Sequence, residues 1–389
     1  MSRNKEKVYP KQSRRVFVAM SGGVDSSVAA LLLRDAGYDV TGVFMRCYNL
    51  DGCAERDATD ARRVAAELNI PFYVFNFEKE YKKRVVEYMI DGYKRGITPN
   101  PDVMCNKEIK FGLFLEKALS LGADYVATGH YVQLGYSAPR NGISEPLSLF
   151  AAKDKNKDQS YFLWTLTQEQ LKHCLFPIGD YLKGEVREMA RRAGLPTAEK
   201  KDSQGICFLG KVSLHDFLKK RIPSTKGKVL TTTGERIGEH EGAEFYTIGQ
   251  RHIGIMNYES RIKGRHETKP HYVVEKDVAA NTVVVAEGSD NPALYKKELE
   301  LGGLNFTNPA TAGTIRPSAL LGTSGANRRM DVLVRVRYRQ PLVKAMLYNP
   351  SPETYNLKFD QPVKFVAPGQ SAVFYSKEGE LLGGGVIIK

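Results

Sequence analysis

The sequence predicts an α/β protein that begins with a doubly wound parallel sheet and continues into mostly β structure. Two observations support this prediction. Between residue 14 and about residue 135, short apolar runs alternate with helical patterns, which is typical of parallel strands joined by helices. From about residue 223 onward, glycines, turns and alternating β-forming residues dominate. A chain of 389 residues is long enough for roughly two to three domains.

The first region contains four predicted strands and four predicted helices. The strands cover residues 16–20, 40–45, 72–75 and 125–128, and the helices cover residues 26–36, 54–68, 79–93 and 107–121. Ligands bind beyond the carboxyl ends of the strands in such a sheet. The loop at 21–27, Met45 and the pair Gly129-His130 all fall at this edge. We therefore expect them to form one nucleotide pocket.

The rest of the chain shows helices first and strands afterwards. Helices are predicted at residues 167–174, 183–193 and 214–220, after a loop at 136–147. Residues 273–275 and 283–286 predict a hairpin. Strands at 332–338, 345–348, 355–359 and 372–375 predict a β-barrel or a sandwich, preceded by a loop at 309–329.

Composition and charge restrict the functional classes. Hydrophobic residues make up 42% and charged residues 26%, which excludes wholesale disorder. The net charge of +13 favours a polyanionic partner such as a nucleic acid. No apolar run is long enough to cross a bilayer, and residues 1–7 lack the apolar core of a signal peptide. We expect a cytoplasmic protein with no membrane partner.

The loop at residues 21–27 reads Ser-Gly-Gly-Val-Asp-Ser-Ser and joins a predicted strand to a predicted helix. Unpaired backbone N–H groups and the helix dipole favour anions at such a place. Gly22 and Gly23 allow an anion to approach the backbone closely, and Asp25 can cap the helix or hold Mg²⁺. The loop lacks the Walker A lysine. It resembles the PP-loop of ATP pyrophosphatases, which implies that ATP is bound here.

Two cysteines lie in contexts that favour thiolates. Cys105 is expected just ahead of a helix that starts near Lys107, where the helix dipole and the nearby Lys107 and Lys110 would lower the pKa of its thiol. Asp102, three residues earlier, could act as a general acid or base. Cys207 follows a pair of lysines. Two activated thiols suggest sulfur handling, in which one carries a persulfide and the other resolves it as a disulfide.

The other three cysteines give weaker indications. Cys47, Cys53 and Cys105 could contribute to a zinc or iron–sulfur site, but the chain has no C-x-x-C pair, so no metal site is predicted. Cys174 falls in a helical pattern and is expected in the core. Without a secretion signal, all five cysteines are expected to be reduced. We interpret Cys47 and Cys53 as incidental.

Four motifs occur in a fixed order, at residues 21–27, 100–111, 157–163 and 201–210. Together they resemble the tRNA-specific 2-thiouridylase family, and the resemblance runs from about residue 14 to the end. It implies a PP-loop domain at 1–222, a small, mostly β central domain at 223–295 and a C-terminal β-barrel at 296–389. It also implies conversion of the wobble uridine, position 34, to 2-thiouridine in certain tRNAs, such as those accepting Lys, Glu and Gln. The C2 oxygen would be adenylated and replaced by sulfur from a cysteine persulfide.

The resemblance also implies roles for single residues. Cys105 would be the nucleophile and Cys207 would bear the persulfide, with Asp102 beside them. The implied ATP contacts are Ala19, Met20, Ser21, Gly22, Gly23, Val24, Asp25, Ser26, Met45 and Gly129. The implied tRNA contacts are Asn100, Pro101, Asp102, His130, Lys157, Asp158, Gln159, Arg337, Tyr338 and Gln370, of which the first three meet the target base. The implied partners are tRNA, Mg²⁺ with the ATP, and a cysteine desulfurase or sulfur-relay protein, for a monomeric enzyme.

Two basic segments could form RNA surfaces. Arg335, Arg337 and Arg339 would share one face of a strand and could contact phosphates. The alternative is a charged edge strand that resists aggregation. The basic run at 261–266 with Lys269 is either a second RNA surface or a solvated loop.

Two other functions stay open. Another PP-loop ligase would not need Cys105 and Cys207. An RNA-binding β-barrel protein with a nucleotide-sensing domain would bind tRNA without releasing AMP or pyrophosphate. Within the thiolation hypothesis, attack by free sulfide and direct attack by the persulfide both fit these residues.

Overall fold

The computed structural model describes residues 14–48, 50, 52–137, 146–202, 209–210, 212–251, 253, 269–308, 311, 329–351 and 354–389. The helices described are α1 Val24–Asp35, α2 Cys53–Glu67, α3 Glu78–Tyr81, α4 Glu87–Lys94, α5 Pro101–Cys105, α6 Phe114–Ser120, α7 Gln168–Leu171, α8 Lys183–Arg192 and α9 Leu214–Lys219. Two π-helical segments, π1 Lys82–Val86 and π2 Asn106–Leu113, join α3 to α4 and α5 to α6.

The strands fall into an N-terminal, a central and a C-terminal group. The N-terminal strands are β1 Arg15–Ala19, β2 Asp39–Arg46, β3 Phe72–Asn76, β4 Tyr125–Thr128, β5 Val132–Tyr136, β6 Leu147–Ala151 and β7 Cys174–Leu175. The central strands are β8 Gly227–Thr231, β9 Arg236–His240, β10 His271–Asp277 and β11 Thr282–Glu287. The C-terminal strands are β12 Tyr295–Phe306, β13 Arg329–Arg335, β14 Val343–Ser351, β15 Thr354–Lys364, β16 Ser371–Tyr375 and β17 Leu381–Ile387.

The N-terminal region is built on a parallel sheet with the order β3-β2-β1-β4-β7. Val18 of β1 lies opposite Gly42 of β2 on one side and Ala127 of β4 on the other. The chain thus adds β2 and β3 on one side of β1 and then β4 and β7 on the other. A crevice forms at the carboxyl ends of the two strands where the order reverses. The loop at 21–27 and residues 129–130 follow these two strands, so the predicted edge is confirmed.

The two faces of this sheet are covered by different helices. Val16 and Val18 of β1 face a cluster that includes Val28 of α1 and Val64 of α2. Phe17, between them, faces a cluster that includes the helices from residue 78 to residue 120. Successive residues of a strand point to opposite faces, so a strand buried on both sides is apolar throughout. This arrangement confirms the doubly wound α/β prediction.

The helix predicted at 107–121 begins six residues earlier than predicted. Asn100 caps it, because its Oδ1 accepts the N–H of Val103 at 3.2 Å. Pro101 occupies the first helical position. The N–H of this position has no partner within a helix, so the N–H that proline lacks costs the helix no hydrogen bond. Pro99 and Pro101 restrict the backbone of the residues before them and predict a loop over residues 101–105, but the structure shows α5 there. Cys105 therefore lies one turn inside a helix, and the prediction that it precedes a helix N-terminus is wrong.

The central region is a four-stranded sheet with the order β10-β11-β8-β9. Strands β10 and β11 pair antiparallel and form the predicted hairpin. Strand β8 adds to it in parallel, with Val229 opposite Val283. The basic run at 261–266 lies outside the described residues.

The C-terminal strands close into a barrel in the order β12-β15-β14-β13-β16-β17. This resolves the alternative between a barrel and a sandwich. The sequence analysis did not predict β12 or β17, because charged residues begin β12 and three consecutive glycines lie in β17. Most of the loop predicted at 309–329 lies outside the described residues. The domain bounds at 222 and 295 stay predictions.

Candidate functional site

The loop after β1 presents an open helix N-terminus. Gly23 is the N-cap of α1, and no side chain caps the first turn. Gly22 has a φ of +73°, and a Cβ on it would lie 2.3 Å from the carbonyl oxygen of Asp57 in α2. Only glycine fits this position, because both the backbone angle and the space exclude a side chain. The first N–H groups of α1 are thus directed at the crevice, where an anion would satisfy them.

Serine hydroxyls brace the same loop from inside. The Oγ of Ser26 accepts the N–H of Ser21 at 3.1 Å and donates to the carbonyl of Gly23 at 3.1 Å. The Oγ of Ser27 donates to the same carbonyl at 2.8 Å. Ser21 itself is exposed. The loop is therefore held rigid by buried hydroxyls and leaves Ser21 available to a ligand.

The predicted nucleotide contacts share one edge of the sheet. Gly129 lies so close to the start of α1 that a Cβ on it would be 2.6 Å from the backbone nitrogen of Ser26. Ala19 and Met20 are buried behind the loop, and Val24 is buried at the start of α1. Met45 lies half-buried near the end of β2. The structure brings the sequence-predicted ATP residues together, and their contact with ATP stays a prediction.

Asp25 does not cap α1, so the predicted capping role is wrong. Its carboxylate accepts hydrogen bonds from the Nζ of Lys183 at 2.7 and 2.8 Å and from the hydroxyl of Tyr131 at 2.8 Å. The same Nζ lies 2.8 Å from Oδ1 of Asp202. A lysine ammonium has three donors. All three are therefore satisfied by carboxylate oxygens, and the Lys183 side chain is only 12% exposed.

The carboxylate of Asp202 forms ion pairs with three cationic side chains. Besides Lys183, it contacts the Nζ of Lys157 at 2.6 Å and Nη2 of Arg187 at 2.9 Å. Burial alone would raise the pKa of Asp202, but the hydrogen bonds from Lys157 and Lys183 outweigh it and lower the pKa to about 2. Asp202 is thus a fixed anion next to the loop at 21–27.

The described residues offer Mg²⁺ no ready site. No group of three or more His, Cys, Asp or Glu side chains in the described part of the chain could hold a metal ion. The oxygens of Asp25 already accept hydrogen bonds from Lys183 and Tyr131. Mg²⁺ prefers oxygen ligands and carries several waters or phosphate oxygens with it. The ligands would therefore have to come chiefly from a bound polyphosphate.

Asp102, Lys110 and His130 form the second half of the site. His130 is 7% exposed, with Nδ1 2.7 Å from Oγ1 of Thr128 and Nε2 3.4 Å from Nζ of Lys110. Burial, with a smaller effect of Lys110, lowers the pKa of His130 well below its usual value. Burial raises the pKa of Asp102, and Lys110 opposes it. The cluster thus holds a neutral imidazole and a basic carboxylate around one cation.

Cys105 lies on the same helix, three residues after Asp102, and is half-buried. Lys107, one of the two lysines expected to activate it, is exposed and lies 3.8 Å from Glu108. Cys207 lies outside the described residues. Cys47 is half-buried, and Cys174 is fully buried with the pKa of its thiol raised by burial. The side chain of Cys53 is not described.

The predicted tRNA residues at 157–159 are mostly occupied inside the protein. Asp158 has a side chain only 1% exposed, and it lies 3.2 Å from Nη1 of Arg335. Oε1 of Gln159 accepts the N–H of Tyr131 at 2.9 Å. Lys157 is committed to Asp202. We therefore interpret Asp158 and Gln159 as residues that hold the site together, and their contact with tRNA stays a prediction.

The basic stripe predicted at residues 335–339 is wrong. Strand β13 ends at Arg335, and Arg339 has a φ of +65°, so these arginines do not share a strand face. Arg335 is buried against Asp158. Arg337 donates to the carbonyl of Ile248 at 3.3 Å, and burial lowers its pKa. The prediction from alternating residues is wrong because strand β13 ends before Arg337.

The barrel contacts the segment before Asn100. Nε2 of Gln370 donates to the carbonyl of Thr98 at 2.8 Å, and the N–H of Thr98 donates to the carbonyl of Pro368 at 2.8 Å. The Tyr338 ring lies 4.4 Å from that of Phe162. Gln370 and Tyr338, predicted as tRNA contacts, thus lie where the barrel meets the N-terminal region.

Sequence reasoning missed Lys183, Tyr131 and Lys110 as site residues, although Lys110 was noted near Cys105. Lys183 is the first residue of α8. A cation is unfavourable at a helix N-terminus, because the dipole is positive there. The position of Lys183 in the sequence therefore indicates that its ammonium has an anionic partner elsewhere in the protein. Nothing local marks Tyr131, because its partner Asp25 is 106 residues away.

The sheet, the uncapped glycine loop and the barrel define a nucleotide-binding α/β protein of the PP-loop class with an appended β-barrel. Family models match along most of the chain. One described as "tRNA methyl transferase HUP domain" matches residues 14–211, "tRNA methyl transferase PRC-barrel domain" matches 215–287, and "Aminomethyltransferase beta-barrel domain" matches 314–387. No helix among the described residues is long and apolar enough to span a membrane.

Relatives named as tRNA-specific 2-thiouridylases are similar over nearly the whole chain. The tRNA-specific 2-thiouridylase MnmA 1 of Geobacillus kaustophilus (strain HTA426) is 45% identical over 94% of both chains. That of Streptococcus uberis is 45% identical over 96% of this chain and 95% of its own. A solved 4-thiouridine synthetase–RNA complex with bound ATP is only 18% identical, covers 54% of this chain and 50% of that one, and has a TM-score of 0.32. The chain belongs to the tRNA-specific 2-thiouridylase family.

Proposed function

We propose that this enzyme uses ATP to convert uridine 34 of tRNA, the wobble uridine of acceptors for Lys, Glu and Gln, to 2-thiouridine. One observation carries the proposal. Gly129 packs against the start of α1, and His130, the next residue, contacts Lys110 on the helix that bears Asp102 and Cys105. A nucleotide in the loop at 21–27 and a base beside Asp102 would therefore be neighbours, as adenylation of that base requires.

In the first half-reaction, the C2 oxygen of the uridine attacks the α-phosphorus of ATP and pyrophosphate leaves. The N–H groups of the uncapped α1 turn and the hydroxyl of Ser21 would bind phosphate oxygens. We assign Asp102 to accept the N3 proton, since a carboxyl whose pKa is raised by burial is a better base near neutral pH. A flipped-out base would meet Asn100, Pro101 and Asp102.

In the second half-reaction, sulfur replaces the adenylated oxygen and AMP leaves. Either the terminal sulfur of the Cys207 persulfide attacks C2 directly, or Cys105 first releases it as hydrosulfide. In both routes the Cys105 thiolate attacks the inner sulfur of Cys207, which forms a Cys105–Cys207 disulfide and supplies the two electrons that the persulfide sulfur needs. An external thiol must reduce the disulfide before the next turnover.

The partners follow from this chemistry. Mg²⁺ would enter with ATP, and a cysteine desulfurase or a sulfur-relay protein would reload Cys207. Exposed parts of the predicted tRNA set, with Arg337, Tyr338 and Gln370 at the barrel, would position the anticodon arm. We propose a monomer acting in the cytoplasm.

The test is a thiolation assay with unmodified tRNA, ATP, Mg²⁺ and a persulfide donor, read on a mercury-containing gel that retards thiolated RNA. The wild type should give a retarded band that requires ATP, and C105S should abolish it. C174S, which changes a buried cysteine elsewhere in the core, should still give the band. Pyrophosphate without a band would refute the sulfur route, a band in C105S would refute the assigned nucleophile, and tRNA binding with neither product would favour the nucleotide-sensing RNA-binding protein.

A further inference from the structure

We propose that Lys110 is a catalytic residue of the adenylation step, whose ammonium binds a carbonyl oxygen of the uracil ring and stabilises the negative charge that forms there when the N3 proton moves to Asp102. This inference rests on the proposed function, because it concerns how the C2 oxygen of the base becomes a nucleophile. It gives a role to a side chain that contacts His130, beside the nucleotide loop, and lies on the same helix as Asp102.

The ammonium of Lys110 has donors to spare. Among the residues that the structure describes, its hydrogen-bond partner is Nε2 of His130, at 3.4 Å. A lysine ammonium has three donors. The nearest carboxylate in sequence, that of Glu108, lies 3.2 Å from Nη1 of Arg84 instead. Two donors of Lys110 are therefore available to a ligand.

Other lysines around the nucleotide loop are neutralised within the protein. Lys157 and Lys183 both pair with Asp202, and Lys200 pairs with two carboxylates of α2. A paired ammonium adds little net charge to a site, whereas Lys110 contributes a whole positive charge. A half-buried cation without an ion-pair contact is unfavourable in the free protein. The arrangement thus favours a ligand that brings negative charge to Lys110.

The adenylation step creates such a charge. Before proton transfer the anion is Asp102, and Lys110 opposes the rise in its pKa that burial causes. After the transfer Asp102 is neutral, and the electron pair of the N3–H bond is spread over O2, N3 and O4 of the ring. O2 then attacks the α-phosphorus, and pyrophosphate leaves with the electrons of the bond that breaks. An ammonium at a ring oxygen neutralises the charge at each stage, and a charge fixed in place in this way stabilises a transition state strongly.

His130 holds this ammonium without neutralising it. The imidazole is fixed by the contact of Nδ1 with Oγ1 of Thr128 at 2.7 Å, and its ring centre lies 6.0 Å from that of Phe111. Burial lowers the pKa of His130 well below its usual value, so the ring accepts from Lys110 as a neutral group. A carboxylate in the same place would cancel the positive charge. The charge of Lys110 is therefore kept for the base.

The experiment measures pyrophosphate release in a single turnover, with tRNA that carries uridine or 5-fluorouridine at position 34 and without a sulfur donor. Fluorine makes the N3–H more acidic, so it stabilises the same ring anion from within the base. K110M should slow release from the uridine tRNA about 100-fold or more, as loss of one charge-stabilising donor does in other active sites. Fluorine should speed K110M about 10-fold relative to its effect on the wild type, because the variant depends more on the acidity of the base.

Two further variants separate this role from stability. K107M is the matched control, because Lys107 is exposed on the same π2 segment with its Nζ 3.8 Å from Oε1 of Glu108, and its rate should stay within about 2-fold of the wild type. K110Q removes the charge and keeps an N–H donor for His130. It should behave like K110M, and it replaces K110M if thermal unfolding shows that K110M has not folded. The fluorine effect is a ratio within one variant, so a lower fraction of folded protein does not change it.

Three results would overturn the inference while the proposed function stands. The first is a K110M rate equal to that of K107M. The second is a fluorine effect in K110M equal to that in the wild type, which would make Lys110 a residue of stability alone. The third is a loss of ATP affinity of about 10-fold or more in K110M without tRNA, which would place the ammonium on phosphate. If the wild type releases no pyrophosphate with either tRNA, the proposed function itself fails, and the inference fails with it.

Discussion

The Nζ of Lys110 lies 3.4 Å from Nε2 of His130, while Nδ1 of the same ring lies 2.7 Å from Oγ1 of Thr128. An ammonium can only donate, so Nε2 must be the unprotonated acceptor and Nδ1 carries the proton. A cation beside a buried imidazole also disfavours a second proton. These contacts favour a neutral His130 with its proton on Nδ1, at the point where the nucleotide loop meets the Asp102 helix.

His130 should therefore be neutral at pH 7, with its proton on Nδ1, and should take up a second proton only well below its usual pKa of 6.5. Burial and Lys110 both lower its pKa, so K110M should raise that pKa, and the ¹⁵N chemical shifts of the ring measure both. His173 is a suitable reference, because it is only half-buried and its Nδ1 lies 2.9 Å from the carbonyl oxygen of Asp124. The unfolded chain takes up this proton near pH 6.5 while the folded one does not, so His130 makes the protein less stable as pH falls below about 6.5. Ring shifts typical of an imidazolium at pH 7 would contradict the assignment.

G22A should abolish nucleotide binding. The new Cβ would meet the Asp57 carbonyl at 2.3 Å and the backbone has a φ of +73°, so the loop must move. G37A is the matched control, since Gly37 has a φ of +87° and nothing within 4 Å of its Cβ position. Both variants should lose about 1–2 kcal/mol of stability from backbone strain. Only G22A should lose ATP affinity in calorimetry, and equal affinities in the two variants would show that the Gly22 geometry is not needed.

The Asp158–Arg335 pair should contribute to stability and not to RNA binding. D158A leaves the Arg335 guanidinium buried without its partner, which should lower the free energy of unfolding by about 3–5 kcal/mol. E169A breaks the exposed pair with Lys172 and should change the free energy of unfolding far less. Denaturant titration measures both.

The same pair gives a second readout. Each phosphate contact that is lost reduces the steepness of log tRNA affinity plotted against log salt concentration by about 1. R335M should leave this slope unchanged in a folded preparation, because Arg335 is not at the surface. A reduced slope would return Arg335 to the phosphate-contacting role that the strand pattern predicted.

Gln370 should act on turnover through the Thr98 carbonyl. Q370A removes the hydrogen bond that holds the segment before Asn100 against the barrel, so thiolation kcat should fall about 10-fold or more while tRNA affinity changes less. Q340A removes a comparable barrel glutamine, whose Nε2 donates to the carbonyl of Lys364 at 3.3 Å, and should leave kcat unchanged. A loss of tRNA affinity without a loss of kcat would favour a direct contact of Gln370 with RNA.

Local signals made the sheet and the loop predictable. Strand β4 was predicted at 125–128 and lies at Tyr125–Thr128, because a short apolar run between turns has few alternatives. Gly22 and Gly129 were predicted at the nucleotide edge because strand order determines where loops meet. These features depend on residues close together in sequence.

The features that failed depend on distant partners. From the sequence, Arg335 is expected at the surface. In the structure it pairs with Asp158, which is 177 residues away in sequence. Lys183 reads as the start of an amphipathic helix, although Asp25 lies 158 residues away. Cys105 was expected before a helix because the prolines at 99 and 101 suggested a loop, whereas Pro101 begins the helix. Such contacts are set by tertiary packing, which a single sequence does not display.

The central claim is that the C2 oxygen of uridine 34 is activated by ATP and leaves with AMP. The most direct measurement uses tRNA with ¹⁸O at C2 of uridine 34, incubated with the enzyme, ATP, Mg²⁺ and a persulfide donor. Mass spectrometry of the products should show AMP heavier by about two mass units, in amounts equal to the 2-thiouridine formed. Unlabelled AMP accompanying 2-thiouridine, with the ¹⁸O recovered in water, would contradict the account.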